Sequence, residues 1–332
     1  MHSTMLRCCL LVSGCMGGAL VLLASLVPLV QAQTFPDRPV RMVVPFAAGG
    51  PVDVIGRIMS QELSKALKQQ FVVDNRLGAG GTIAAEHVAS APADGHTLLF
   101  GSTSTLAVAP ALYSKVAYHP VKSFVPVSAV SLETLALLVN PAVPANNVRE
   151  LVAYLKANPG KMNFGTPGNG TQTHLVSEMF RQVAGVDTTH IPYKGGAPSV
   201  VAAMSGEVQY LFNPMSTSLS VFKSGKLRLI AVTGLQRDAL APAIPTVAES
   251  GYPGFEALFW IGIVAPAATP RALVELLGNE SQRILRTPEM KETLAKLGSS
   301  PFITSSADFG KLIGSEFEKW SALAVKANIK PE

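Results

Sequence analysis

The chain has 332 residues, 27 Lys and Arg against 22 Asp and Glu, a formal net charge of +5, and 48% hydrophobic residues. Its basic residues are scattered and do not alternate with aromatic side chains, so the composition argues against a nucleic-acid-binding surface. All three cysteines, Cys8, Cys9 and Cys15, lie near the N-terminus. A chain cleaved beyond them has no thiol for a disulfide, a nucleophile or a metal site.

Residues 1–32 are typical of an export signal. One basic residue, Arg7, precedes a nearly uncharged apolar stretch, and the short side chains of Val30 and Ala32 suit cleavage after Ala32. Two alternatives stay open: the stretch is almost long enough to remain as a membrane anchor, and residues 12–15 loosely resemble a lipoprotein cleavage box. We predict a signal peptide over residues 1–32 and an exported mature chain that begins at Gln33.

Strand and helix patterns alternate in the first part of the mature chain. Residues 40–44, 71–73 and 97–100 are typical of strands, whereas residues 51–68 repeat apolar side chains at helical spacing and residues 82–91 also favour a helix. Short connections between alternating strands and helices favour a parallel sheet covered on both faces. This part predicts a first α/β lobe.

A second series of similar build follows residue 135. We predict strands at residues 135–139, 162–164, 210–212 and 229–232, and helices at residues 148–157, 172–183 and 199–204. The repetition of the strand–helix alternation predicts a second α/β lobe.

The last segments are too few for a third domain. A strand at residues 259–264 and helices at residues 270–286 and 307–327 follow the second series, and we place them back on the first lobe. The prediction is a two-lobed α/β protein in which each lobe is a mainly parallel sheet flanked by helices. Lobe 1 comprises residues 33–136 and 259–332, and lobe 2 comprises residues 137–258.

Glycine-rich loops stand where predicted strands turn into helices. Open parallel sheets bind ligands beyond the carboxyl ends of their strands, where a helix N-terminus offers unpaired N–H groups and a partial positive charge. Any one of these loops is equally an ordinary turn, with the acid of the first loop a helix cap, but four of them favour an anion-binding cleft. The candidates are Phe46, Ala47, Ala48, Gly49, Gly50 and Asp53 in the first loop, Gly80 in the second, Thr166, Gly168, Gly170 and Thr171 in the third, and Tyr193 in the fourth.

Other polar residues follow strands or begin helices. Thr103 and Ser104, with Thr105, either add hydroxyl contacts to a ligand or cap the next helix. His174, on the first turn of its helix, either contacts a ligand or packs in the core. Asn213 lies near the end of a strand and is expected to line the second lobe.

Motifs for catalysis and cofactor binding are absent from the sequence. It has no His-Glu-x-x-His array, no Gly-x-Ser-x-Gly elbow and no Walker loop, and its glycine spacing at residues 165–170 does not fit a dinucleotide fingerprint. We predict no metal, no cofactor and a binding protein rather than an enzyme. The alternative is a hydrolase that uses Ser102 as a nucleophile with a distant histidine.

Taken together, the loops are similar to those of a known family. The sequences VPFAAGGPVD at residues 44–53, NRLGAGG at residues 75–81 and PYKGGAP at residues 192–198 resemble the Bug receptors. These are substrate-binding proteins of the tripartite tricarboxylate transporter family. Further similarity at residues 93–98, 245–251 and 260–266 extends the resemblance over essentially the whole mature chain.

The resemblance implies a fold, a location and a function. It implies a periplasmic Venus-flytrap protein, type II-like, that closes by a hinge around a small carboxylate or related metabolite. Backbone amides and ordered water at residues 46–50 would hold the carboxylate. The implied partners are inner-membrane permease subunits, with a sensor protein as the open alternative, and the receptor is expected to be a monomer.

Overall fold

Alternating strands and helices account for most of residues 35–326, which are the residues described by this computed structural model. The strands are β1 (Val40–Val44), β2 (Phe71–Asn75), β3 (Thr97–Ser102), β4 (Phe124–Val139), β5 (Asn163–Thr166), β6 (Thr189–Pro192), β7 (Tyr210–Pro214), β8 (Arg228–Val232), β9 (Leu258–Pro266) and β10 (Ser300–Pro301). The helices are α1 (Pro51–Leu67), α2 (Thr82–Ala89), α3 (Ala109–Leu112), α4 (Val148–Ala157), α5 (Gln172–Ala184), α6 (Gly196–Ser205), α7 (Met215–Lys223), α8 (Arg271–Leu285), α9 (Pro288–Lys296) and α10 (Ser306–Lys326).

The first strand and helix form for reasons visible in the sequence. Four of the five residues of β1 are buried, as expected for an apolar strand inside a sheet. Along α1, Ile55, Met59 and Leu63 recur at helical spacing and are fully buried, so one face of the helix covers the sheet. Pro51 occupies the first helical turn, where its missing N–H removes no intrahelical bond.

The strands run in the order β2-β1-β3-β9-β4-β7-β5-β6, with β8 and β10 also paired to β4. The pairs β1–β2, β1–β3, β5–β6 and β5–β7 are parallel, whereas the pairs that β4 makes with β7, β8, β9 and β10, and the β3–β9 pair, are antiparallel. The prediction of mainly parallel sheets therefore describes the outer strands. The two strands nearest the middle, β4 and β9, run against their neighbours and make the sheet mixed.

The long strand β4 belongs to both halves of this sheet. Its residues 124–134 pair with β9, and residues 135–139 pair with β7. Thr233, which follows β8, joins the part of β4 where the chain crosses from one half to the other to the segment before β9, where the chain returns. Its N–H donates to Leu135 O, and its Oγ1 accepts from the Leu135 N–H and donates to Ala257 O. The two segments in which the chain crosses between the halves, at Leu135 and at Ala257, are thus hydrogen-bonded to each other through Thr233.

Aromatic side chains fill the core on both halves. Trp260 of β9 meets Phe309 of α10 edge to face, with ring centroids 5.4 Å apart. In the other half, the Phe180 ring contacts Phe212 and Phe255 at centroid distances of 5.6 and 6.4 Å. Edge-to-face contacts of this kind add to the free energy gained by burying the rings, so α5 and α10 are held firmly against the sheet.

Several elements were not predicted from the sequence. These are residues 124–134 of β4, the π-helical turn Ser104–Val108, and α3, β6, α7, α9 and β10. The predicted helix at residues 82–91 ends two residues earlier, at Ala89. Residues 1–32, the predicted signal peptide, lie outside the described residues. Within residues 35–326, none of the helices is both long and apolar enough to cross a bilayer.

One carboxyl group is buried in β4 just before the passage between the halves. The Ser216 N–H, at the start of α7, donates to Glu133 Oε2 at 2.6 Å, and Ser216 Oγ donates to Oε1 at 3.0 Å. Burial raises the pKa of Glu133 to about 8, and nearby Asp238 adds to the rise, while the Ser216 hydrogen bonds oppose it. The carboxyl group is therefore protonated in the folded protein over a pH range in which the unfolded chain ionises it.

This proton makes stability depend on pH. From about pH 5 to about pH 7 the folded state binds nearly one more proton at Glu133 than the unfolded state does, so this group's stabilising contribution falls as pH rises, by up to about 1.4 kcal/mol per pH unit, and the fall levels off as pH passes the folded pKa of about 8. Glu133→Gln removes the titration, and urea unfolding at pH 5, 6.5 and 8 should give a correspondingly flatter profile. Glu289→Gln, on the exposed start of α9, should retain the wild-type slope. Equal slopes for Glu133→Gln and the wild type would contradict the prediction.

Candidate functional site

The loop after β1 presents backbone to solvent at the start of a helix. Ala47, Ala48 and Gly49 are exposed, while Phe46 and Gly50 are half-buried. Gly49 has φ +84°, which strains any residue with a Cβ, and the space around it is open. The first-turn N–H groups of α1, at Val52 and Asp53, have no intrahelical acceptor. The predicted anion loop therefore offers exposed backbone next to unpaired helix donors.

Asp53 fastens this loop instead of pointing into solvent. Its carboxylate is 2% exposed and accepts from Gly49 N at 3.0 Å, from Arg57 Nε at 2.9 Å and from Asn75 Nδ2 at 2.8 Å. Burial raises the pKa of the Asp53 carboxyl, but the hydrogen bonds from Arg57, Gly49 and Asn75 outweigh it and hold the pKa below its usual value. We interpret Asp53 as the residue that sets the shape of the loop.

Sequence reasoning missed two members of this network, Arg57 and Asn75. Asn75, the last residue of β2, donates from Nδ2 to Phe46 O at 2.9 Å as well as to Asp53, and its Oδ1 accepts from Arg57 at 2.9 Å. Arg57 lies one turn after Asp53, a spacing at which an acid and a base meet on a helix. The four-residue spacing of Asp53 and Arg57 could have revealed this ion pair from the sequence. The Asn75 contact could not have been found in that way, because it depends on the pairing of β1 with β2.

The loop after β5 is held by threonine hydroxyls. Thr166 Oγ1 accepts from Gly168 N at 3.3 Å, and Thr171 Oγ1 donates to Gly168 O at 2.8 Å. Thr166 Oγ1 is also 2.6 Å from His190 Nε2. Thr166 and Thr171 are buried, so their hydroxyls shape the loop from inside, and Thr171 ends it immediately before α5.

Two stacked histidines support this loop. The His174 and His190 rings are 4.1 Å apart and nearly parallel, and His190 stacks in turn on Phe164 at 4.9 Å. Burial, with the charge of Arg181, lowers the pKa of His174 to about 4, and burial, His174 and Arg181 lower the pKa of His190 to about 3. Both rings are therefore neutral near pH 7, with His174 buried and His190 half-buried.

The loops come together at a junction that we define by Gly80, Gly81, Ser104, Thr105, Gly170 and Gln172. A Cβ on Gly80 would lie 2.9 Å from Gly170 O, so the two backbones approach too closely to leave room for a side chain. Gln172 N donates to Ser104 Oγ at 3.0 Å, which joins the start of α5 to the turn after β3. The second and third predicted glycine loops approach each other here, and the fourth loop is joined to the third by hydrogen bonds from Tyr193 N to Thr166 O at 2.9 Å and from Gly195 N to Pro167 O at 3.0 Å.

Tyr113 of the first half reinforces this contact. Its hydroxyl donates to Asn169 O at 3.2 Å, and the space beside the Gly170 Cα is filled by the Tyr113 ring. The loop before α5 is therefore held by the other half of the molecule through both backbone and side chain.

Two predicted residues, Thr103 and Asn213, have their polar groups engaged within the protein, and a third, Tyr193, is held by packing. Thr103 Oγ1 accepts from Trp260 N at 3.0 Å. Asn213 Nδ2 donates to Thr217 and Ser218 hydroxyls at the start of α7. Tyr193 packs against the core of the second half, and burial together with Glu207 raises its pKa to about 12. These contacts are those of residues that shape the loops around a site.

The described part of the chain, residues 35–326, contains no group of three or more His, Cys, Asp or Glu side chains placed to hold a metal ion.

Comparison with known proteins identifies relatives over nearly the whole chain. Residues 55–329 match the family described as Tripartite tricarboxylate transporter family receptor. Protein BugT of Bordetella pertussis is 35% identical over 314 residues, which cover 94% of this chain and 96% of BugT.

Solved structures agree with this match. The R. palustris protein Rpa4515 with adipate has a TM-score of 0.86 and 32% identity, over 90% of this chain and 100% of that one. MatC from Rhodopseudomonas palustris with bound malate has a TM-score of 0.81 and 32% identity, over 87% of this chain and 99% of that one.

We expect Asp53→Asn to destabilise the protein at neutral pH by about 1–3 kcal/mol, because it weakens charge-assisted hydrogen bonds to a buried carboxylate. The folded pKa of Asp53 is depressed, so this contribution is present above its unfolded pKa and lost as pH falls through the lower folded value. Urea unfolding should show a large difference from the wild type at pH 7 and a smaller one at pH 3. Asp308→Asn, a change to an exposed first-turn acid of α10, should have a much smaller effect, because hydrogen bonds and ion pairs at the surface contribute little to stability. A difference at pH 7 no larger than that of the control would count against the role of Asp53.

The histidine stack predicts a second pH dependence, on the acid side. His190 is neutral when folded and protonates near pH 6.5 when unfolded, so stability should fall as pH drops from about 6.5 towards 4, by about 1.4 kcal/mol per pH unit for each such histidine. His190→Gln should make the fall shallower by about one proton, as measured by urea unfolding at pH 7, 6, 5 and 4. An unchanged slope would show that His190 is not buried in its neutral form.

Proposed function

This chain belongs to the tripartite tricarboxylate transporter family of receptors, and from that membership we propose that it captures a small carboxylate in the periplasm for inner-membrane permease subunits. The resemblance predicted from the sequence, the two-lobed α/β fold and the receptor rather than enzyme function are confirmed by the family and structural matches.

The observation that carries the proposal is the exposed loop of residues 46–50 at the start of α1. Helix N-termini bind anions because their first N–H groups are unpaired and the helix dipole is positive there. The start of α5, after the loop that contains Thr166 and Thr171, is a second helix start at a strand-to-helix corner, and its Gln172 N–H already donates to Ser104 Oγ. The relatives bound to adipate and malate are consistent with a carboxylate as the ligand.

In this proposal, hydrogen bonds to the charged carboxylate supply the affinity. A hydrogen bond to a charged group contributes about 1.5–3 kcal/mol. Three or four of them, reduced by the costs of closure and immobilisation, give a free energy near −8 kcal/mol, which corresponds to a micromolar dissociation constant. Because Asp53 already holds the loop in shape, little further ordering opposes binding.

The passage through β4 and the return segment form the hinge in this proposal. Lobe 1 then comprises residues 33–136 and 259–332, and lobe 2 comprises residues 137–258. Closure brings residues 46–50 and the loop before α5 around the ligand, as hinge motions do in periplasmic binding proteins. We further propose that the leader is removed after Ala32 and that the mature receptor acts as a monomer.

Ligand binding should depend on Gly49. We expect Gly49→Val to lower affinity at least tenfold, because a β-branched residue at φ +84° must reshape the loop. The measurement is a thermal-shift screen of ligand-free protein against mono-, di- and tricarboxylates, amino acids and aromatic acids, followed by calorimetric titration of the acids that shift the midpoint.

The matched control is Gly225→Val. Gly225 has φ +70° and open space around it, but it follows the C-terminal end of α7, away from the strand ends that carry the loops. Both variants strain the backbone, and only Gly49→Val should lose binding. A Gly49→Val protein with wild-type affinity would show that residues 46–50 are not the site.

A further inference from the structure

A cavity of about 390 Å³ lies in the first half of the molecule, at the end of the sheet opposite to the proposed carboxylate loop. Its lining residues stand at the amino ends of β1 and β3 and at the end of α2, whereas the loop of residues 46–50 follows the carboxyl end of β1. The volume falls in the range of small-ligand sites, roughly 300–1,000 Å³. The proposed carboxylate receptor makes no use of this cavity.

The side chains around the cavity are basic. Arg38 and Arg41 lie at the start of β1, His87 lies in the last turn of α2, and His96 directly precedes β3. Among the described residues, none of those that line the cavity is acidic. Basic groups from three separate segments of the chain therefore surround one space, an arrangement that attracts an anion and can contact it from several sides.

Ion pairs hold the two arginines without cancelling their charge. Arg38 gives one nitrogen to Asp94 at 2.7 Å. Arg41 lies 3.4 Å from Asp74, which is bound more closely by Arg76 at 3.0 Å. Three guanidinium groups thus share two carboxylates, which leaves one net positive charge. Because a guanidinium group has five N–H donors, Arg38 and Arg41 both retain donors for a ligand.

The His87 ring lies within this positive field. Burial lowers the pKa of His87, and the charges of Arg76 and Arg41 lower it further, while Asp74 opposes them. An anion in the cavity counters the two guanidinium charges and favours the protonated ring. Occupation of the cavity should therefore raise the pKa of His87.

The end of α2 limits the repulsion that a helix C-terminus exerts on an anion. Ser90 Oγ donates to Glu86 O at 2.9 Å and to His87 O at 3.2 Å. Ala91 N donates to Val88 O at 3.0 Å. These carbonyl groups of the last turn are already bonded, so they do not turn bare oxygen atoms towards the cavity.

The distribution of the donors favours a phosphate group over a carboxylate. Arginine binds phosphate through its planar fork of N–H groups. A carboxylate has only two oxygen atoms, whereas a phosphate group presents more and can accept from basic groups on several sides at once. We propose that the cavity lined by Arg38, Arg41 and His87 is a second anion site, which binds a phosphate group independently of the carboxylate loop.

The phosphate group has two possible sources, and the same chemistry recognises both. One is inorganic phosphate in solution, and the other is the headgroup of an anionic phospholipid at a membrane surface. Calorimetric titration of the ligand-free receptor with inorganic phosphate, at constant ionic strength, tests the first. Cosedimentation with vesicles of phosphatidylglycerol and phosphatidylcholine, compared with vesicles of phosphatidylcholine alone, tests the second.

The wild type should bind inorganic phosphate, the anionic vesicles or both. Arg41→Gln should weaken that binding about tenfold or more, because it removes charge-assisted hydrogen bonds. Arg41→Lys keeps the charge but loses the planar fork, so it should weaken binding less. Bound inorganic phosphate should also raise the pKa of the His87 ring, as measured by NMR.

Arg283→Gln is the matched control. The Arg283 side chain is 60% exposed and is paired with Glu280, much as the Arg41 side chain is 53% exposed and is paired with Asp74. It lies on α8, outside the lining of the cavity. The control removes the same charge from the protein and should leave binding intact. Thermal midpoints near that of the control establish that the Arg41 variants are folded.

Three results overturn the second site. The first is a wild type that binds neither inorganic phosphate nor the anionic vesicles. The second is equal weakening by Arg41→Gln and Arg283→Gln, which assigns the attraction to overall charge. The third is binding of inorganic phosphate that leaves the pKa of His87 unchanged, which places the ion elsewhere. The carboxylate receptor is judged separately, by its own ligand panel and the Gly49→Val variant.

Discussion

The hydrogen bonds of Thr233 join the two passages of the chain between its halves, and the rest of the architecture depends on that joint. Its backbone and hydroxyl bond to Leu135 in the outgoing strand and to Ala257 in the returning segment. With these segments fixed side by side, β4 can serve both halves of the sheet without a break, and β9 can return beside it. The joint is fully buried, so water does not compete for its hydrogen bonds. Each half can then carry its own parallel strands, whose carboxyl ends bear the loops that meet at the junction.

The protein binds two of its own carboxyl groups in the way that the proposed function assigns to the ligand, through backbone N–H groups near the start of a helix. Asp53 accepts the Gly49 N–H at the entry to α1, and Glu133 accepts the Ser216 N–H at the entry to α7. The consequences differ with the surroundings. Asp53 has a nearby guanidinium and stays ionised, whereas Glu133 is deeply buried without a cation among its hydrogen-bond partners, and its pKa rises. Backbone donors at a helix start bind a carboxylate well, but the environment decides its charge.

The sequence was most informative where local pattern and burial agree. Helix α4 occupies the predicted residues, and strand β9 lies where its apolar run indicated. Residues 124–134 of β4 were missed because Pro126, Ser128, Ser131 and Glu133 interrupt the apolar pattern, and only the pairing with β9 makes them a strand. Helix α7 was missed because its serine- and threonine-rich sequence has weak helical propensity. At the candidate site, glycine loops were visible as loops, but the roles of Asn75 and Gln172 depend on contacts made by residues far apart in the chain.

The close approach of Gly80 to Gly170 limits which residues this point of the fold accepts. A Cβ on Gly80 would lie 2.9 Å from Gly170 O and 3.1 Å from Ala109 Cβ, so no space is left there for a side chain. Any residue larger than glycine at position 80 must push the loop before α5 away from the loop before α2. These two loops are therefore brought together by the absence of a side chain, and any increase in size at position 80 moves them apart.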